Sequence, residues 1–216
     1  MAATFTKVLL LAALACPCLA GAQAVIEGSV ALLRPRVEPA GAARYSGSAP
    51  VIVASSEPML AVVYLEGQFP AVTNPPPVVQ MGQQNLRFLP GVLPVRKGTV
   101  VEFPNQDDFY HNVFSYSKAK RFDLGRYQKD EKPAAQLFDK PGVVRVNCEI
   151  HQQMRGTILV LETPHFTRTD TNGIFRLENL PAGKFVLKAW LDEGRVLERP
   201  VELRDGARLR IDFPGK

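Results

Sequence analysis

Prolines and glycines cut this chain into pieces too short for a helical core. Eighteen prolines and sixteen glycines are spread over 216 residues. No 3.6-residue apolar period persists through the first half, and what remains between breakers is short apolar runs. Residues 25–33 read as a strand in which Gly28 marks a weak point or a bulge. Residues 34–58, rich in Pro, Ala, Gly and Ser, read as a long loop. Residues 60–65 (LAVVYL) form a buried-strand candidate. Asn74-Pro75-Pro76-Pro77 has no place in a sheet interior, because proline lacks the amide a ladder needs. Short strands follow at 86–89, 99–103 and 113–116. Residues 117–136 read as a polar excursion with at most one helical turn. Leu137-Phe138, the Asp139-Lys140-Pro141-Gly142 turn and residues 143–148 read as strand, turn, strand. Many short strands with turn signals between them predict an all-β sandwich or barrel.

The chemistry is concentrated in residues 143–161, VVRVNCEIHQQMRGTILVL. Alternation puts Val144, Val146 and Cys148 on one face of a strand and Arg145 and Asn147 on the other. Cys148, His151 and Met154 follow at three-residue intervals. Thiolate, imidazole and thioether are donors of a trigonal His2Cys copper site with a weak axial Met. The second imidazole is expected from His111, in the run Phe109-Tyr110-His111-Asn112-Val113-Phe114. Asp107 and Asp108 lie in the loop before it. The competing reading makes Cys148 and Met154 ordinary core residues at a strand end. Against it, two of only three histidines fall at these positions, as does the one cysteine outside the first eighteen residues. His165 has no partner motif and reads as a surface residue.

Residues 1–24 have the form of an export signal: Lys7, an apolar run at 8–15 and Ala22-Gln23-Ala24 before the cut. Cys16 would suit a lipoprotein anchor, the minor alternative, but Ala13 stands where a larger apolar residue is usual. No later stretch has the ~20 apolar residues of a membrane span, so no transmembrane segment is expected. The expected location is the periplasm. After cleavage Cys148 is the remaining cysteine, a lone thiol in an oxidising compartment, which points to a ligand, a reactive group or an intermolecular link. The formal charge of +5 includes Lys7. That modest excess, without aromatics interleaved in a dense basic run, argues against nucleic acid.

Residues 99–161 resemble a cupredoxin of the plastocyanin/amicyanin kind. Phe103-Pro104-Asn105, His111-Asn112-Val113, Phe138 with Pro141-Gly142, and Cys148, His151, Met154 and Gly156 carry the likeness. The spacing around His151 is similar to the short ligand loop of amicyanin. The resemblance implies a Greek-key β-sandwich, one type 1 copper ion near one end, and His111, Cys148, His151 and Met154 as its ligands. It implies Asn112 as the residue behind them that ties the two ligand loops together. Asn147 departs from the aromatic that many relatives carry before the cysteine. Residues 25–103 resemble the upstream part of methylamine-utilisation-type proteins. Residues 167–190 resemble a carboxypeptidase-regulatory-type β module. The expected division is a signal at 1–24, a cupredoxin domain with N-terminal extension at 25–162, and a small β-sandwich-like module at 163–216.

Within that module, Asn172-Gly173 predicts a two-residue hairpin. Its 54 residues are marginal for a core of their own, so it is expected to lean on the first domain or borrow a strand from it, with Gly28–Val30 the candidate. The function expected is a one-electron carrier, not an enzyme, working with a redox partner protein. Copper handling without electron transfer, and a structural or ligand-binding β protein, are the alternatives. A multicopper oxidase needs more imidazoles than His165 alone supplies.

Overall fold

The computed structural model describes residues 23–32, 60–70, 72–131, 135–192 and 194–215. The expected export signal up to residue 22 and the loop at 34–58 lie outside them. All regular structure among the described residues is β. The strands are β1 (Ala24–Ser29), β2 (Val62–Glu66), β3 (Val79–Gln80), β4 (Gly82–Gln83), β5 (Phe88–Leu89), β6 (Val92–Arg96), β7 (Thr99–Glu102), β8 (His111–Tyr116) and β9 (Arg121–Tyr127). There follow β10 (Gln136–Phe138), β11 (Gly142–Asn147), β12 (Arg155–Leu161), β13 (Phe166–Arg168), β14 (Ile174–Leu180), β15 (Gly183–Asp192), β16 (Arg195–Leu203) and β17 (Arg208–Arg210).

The site-bearing unit is a sandwich. One sheet runs β6-β12-β11-β8-β9, and β10-β7-β3 with the β4-β5 pair faces it. Between them lie Met81, Phe88, Val101, Phe103, Val113, Phe138, Val144, Val146 and Ile158, all at most 1% exposed. The alternation read for residues 144–148 holds: Val144, Val146 and Cys148 are buried and Arg145 is exposed. Strand β9 lies where a polar excursion is expected. In RFDLGRY the apolar Phe122 and Leu124 turn toward the core while Arg121, Asp123 and Arg126 face water, as suits an edge strand.

The C-terminal module is assembled from both ends of the chain. Strand β1 lies between β14, antiparallel, and β17, parallel. Strand β2 lies between β13 and β15. The strand at Gly28 thus pairs with the C-terminal unit, and the 60–65 run supplies a second strand to it. These two strands belong to the stretch read as an extension of the first domain. On β2, Val63 and Leu65 enter the module core, whereas Val62 meets Leu159, Leu161 and Trp190 against the other unit. A strand buried on both faces explains the unbroken apolar run.

Two turn readings change. Asp170 to Ile174 does turn, with the Asp170 carboxylate accepting the amides of Asn172 (2.9 Å) and Ile174 (2.8 Å). But β13 pairs with β2 and β14 with β1, so Asn172-Gly173 is a corner between sheets and not a hairpin. A turn signal fixes local φ and ψ, not which strand becomes the neighbour. Gly28 is not a bulge. It is directly opposite Phe175, and a Cβ there would collide with the backbone carbonyl of Ile211. Gly28→Ala should therefore destabilise the protein by on the order of 3 kcal/mol, since backbone must move to admit the methyl. A denaturant midpoint equal to the parent's would refute this reading of Gly28.

Candidate metal centre

His111 opens β8 and is fully buried, and Cys148, 4% exposed, follows directly on β11. The chain then makes a tight loop. The Met154 amide donates to the His151 carbonyl at 2.8 Å, and the Cys148 amide donates to the Met154 carbonyl at 3.2 Å. These bonds fold Met154, 1% exposed, back into the buried cluster that holds Cys148. His151 stays partly exposed at the tip. Asn112 Oδ1 accepts the Glu149 amide at 2.7 Å, which ties the His111 strand to the loop after Cys148.

Three donor atoms converge. His111 Nδ1 and His151 Nδ1 are 3.1 Å apart, and Cys148 Sγ lies 4.0 Å from the first and 3.9 Å from the second. A point equidistant from such a triangle's corners is about 2.1 Å from each, near the ~2.0–2.3 Å of metal–imidazole and metal–thiolate bonds. Thiolate with two imidazoles in a trigonal set is the donor chemistry of blue copper, so the residues present fit that ion.

Protonation states suit ligation. His111 Nε2 lies 2.9 Å from Asp107 Oδ2. An ionised carboxylate only accepts, so Nε2 carries the proton and Nδ1 offers a bare lone pair. Burial pushes the Asp107 carboxyl up, but hydrogen bonds from the Leu86 amide, the His111 ring and the Asn85 amide outweigh it, and the group ends below the usual carboxylate range. His151 is held below the ordinary imidazole value by burial and by the neighbouring His111, with Asp107 opposing. The His151 ring is therefore favoured as a neutral donor, the form a metal requires.

The loop behind His111 is pinned by polar side chains. Asn105 donates to the carbonyls of Phe109 (2.8 Å) and Tyr127 (3.1 Å) and accepts the Asp107 amide (2.9 Å). Gln83 and Tyr127 both donate to the Phe103 carbonyl. The network is not closed, because Gln83 Oε1 is buried with no hydrogen-bond partner among the described residues. Sequence reading placed Asp107 in the loop without giving it a role. Its position four residues before His111 was the available signal, and the partner amides of Asn85 and Leu86 are more than twenty residues away.

His165 lies away from this cluster and is partly buried, where the surface reading expects exposure. It lies 4.9 Å from the Phe69 ring, which stacks on Phe185 at 5.0 Å. Burial lowers its pKa. Below about pH 6.5 the unfolded chain takes up a proton at this site before the folded chain does. The His165 contribution to stability is thus full above that pH and is lost as pH falls toward the depressed folded value. His165→Phe should have a flatter stability profile than the parent between about pH 6.5 and 5, read by denaturant midpoints. Parallel profiles would count against it.

No protein-family model matches the chain, and no curated protein is similar enough to match. Solved structures do align with part of it. A reduced amicyanin variant shares 22% identity at a TM-score of 0.36, over 39% of this chain and 82% of that one. A reduced Cu(I) form of another amicyanin variant shares 17% at 0.36, over 46% and 98%. A purple cupredoxin from Nitrosopumilus maritimus shares 21% at 0.35, over 39% and 100%. These alignments cover less than half of this chain. In the site-bearing sandwich the buried donors, His111 and Cys148, come from adjacent strands of one sheet, and the loop from Cys148 to Met154 brings His151 to them.

Proposed function

We propose that this protein is an exported type 1 copper protein that carries one electron at a time between redox partner proteins. The converging triangle of one thiolate sulfur and two imidazole nitrogens carries this reading. The bound copper would supply a one-electron couple, with His111, Cys148 and His151 as the strong ligands and Met154 as the weak axial one. The residues of the chain do the rest. Two β strands and the bonds of Asn112 and Asn105 fix the donors, so the site changes little in shape between oxidation states. The apolar surroundings of Cys148 exclude water from the sulfur. His151, at the exposed tip, is the exit toward a partner. Phe109, Tyr110 and Ile150, which are 58%, 49% and 39% exposed and adjoin the two histidines in sequence, supply apolar surface for a transient contact.

Export follows from residues 1–24, and N-terminal sequencing of secreted protein should begin near Val25. An intact Met1 on that protein would overturn it. We read the C-terminal module as a carboxypeptidase-regulatory-like brace on the copper unit. The direct test is copper loading of the purified protein followed by absorption and EPR spectra. An intense thiolate charge-transfer band with a narrow copper hyperfine splitting is expected. Absence of copper uptake, or a colourless tetragonal Cu(II) signal, would reject the reading.

A further inference from the structure

The carboxylate of Asp107 is 8% exposed and is shared three ways. Oδ1 accepts the Asn85 amide at 2.7 Å, and Oδ2 accepts the Leu86 amide at 2.9 Å and the His111 Nε2–H at 2.9 Å. Asn85 and Leu86 have φ of 53° and 58°, left-handed values that turn two successive amides toward one anion. The loop at 84–87 is closed on itself by paired bonds between Gln84 and Arg87, so this anion seat is built independently of the histidine. It holds a full negative charge in place on the far side of the His111 ring from the donor triangle.

We propose that Asp107 is a positioning residue that sets the copper reduction potential by acting through His111. This rests on the copper reading above. A carboxylate accepting Nε2–H gives the ring partial imidazolate character and makes Nδ1 a stronger donor. It also places a buried negative charge near the ion. Both effects favour Cu(II), which carries the higher charge, over Cu(I), and so lower the potential. The two amides temper this by drawing charge from the same oxygens, and they also prevent the carboxylate from swinging into the metal's coordination sphere. Asp107 thus fixes the tautomer, the ring orientation and the charge at once.

Asp107→Asn keeps the size of the group and an oxygen that can accept the ring proton, but removes the charge. Expected are retained copper binding and visible band, a Cu(II) affinity lower by about 10- to 100-fold, and a higher potential, by about 59 mV for each tenfold loss of Cu(II) affinity relative to Cu(I). Asp107→Glu should restore part of the difference, because it restores charge. Potentials measured by redox titration on both variants and the parent decide it. An Asp107→Asn potential equal to the parent's, or a fall, overturns the proposal, as does a lower melting point with unchanged potential. If the asparagine variant does not fold, 15N NMR of the zinc-loaded parent decides instead. The His111 Nε2 proton should appear as a slowly exchanging, downfield resonance, and a metal on Nε2 with the proton on Nδ1 overturns the proposal. A parent that takes up no copper at all would reject the copper reading, whereas equal potentials in two blue proteins reject only the role of Asp107.

Discussion

Replacing Cys148 with serine is expected to abolish the visible charge-transfer band of the copper-loaded protein. The thiolate is the electron donor of that transition, and a hydroxyl is a harder and weaker ligand for copper. The other donors should fail in different ways. His111→Ala opens a buried position next to Asp107, so blue colour should be lost and external imidazole should restore it in part. Met154→Leu should leave the protein blue and shift its potential, because the thioether is a long, weak ligand. His165→Ala should leave the spectrum unchanged, since that ring lies against Phe69 and not in the donor triangle. Adventitious copper would show no such hierarchy. A Cys148→Ser protein with the parent's spectrum, or loss of colour in His165→Ala, would break the ligand assignment.

The second large effect concerns the C-terminal module. Residues 163–216 made alone should be unfolded. The fragment lacks β1 and β2, and with them Ile26, Val30, Val63 and Leu65, each at most 1% exposed in the module core. Burial of four such side chains contributes about 6–12 kcal/mol, which is comparable to the whole net stability of a typical domain, about 5–15 kcal/mol. Loss of β1 also strips hydrogen-bond partners from both β14 and β17. Circular dichroism of the fragment should show no cooperative melt. A melt close to that of the full chain would mean that β14 to β17 hold a core without the N-terminal strands.

These two expectations differ in how far the sequence alone supports them. Cys148 and His151 lie three residues apart, where strand alternation and a tight loop decide geometry, so their convergence was legible, and the same loop carries Met154 back into the buried cluster. His111 was legible by elimination, because histidine is so rare in the chain. Asp107 was not. Its role depends on amides of Asn85 and Leu86 brought near by two parallel bridges, Val79 to Val101 and Gln83 to Asn105, and no local pattern encodes these. Strand β9 was hidden for a different reason. It carries as many charged residues as apolar ones, and only the inward turn of Phe122 and Leu124 reveals the period of two. The Asn172-Gly173 corner shows the same boundary between local and non-local information.

The placing of β1 has a consequence for the order of events during synthesis. Its partners β14 and β17 are separated from it by about 150 to 180 residues of sequence. A chain that emerges from its N-terminus must hold β1 unpaired until nearly everything else has been made. The entropic cost of closing so long a loop grows only slowly with its length, but the delay leaves both edges of an apolar strand open to other chains. The site-bearing unit has all its own strands well before then. Its donor atoms can come together ahead of the closing of the C-terminal module, and the late, vulnerable step falls on the part of the chain that does not carry them.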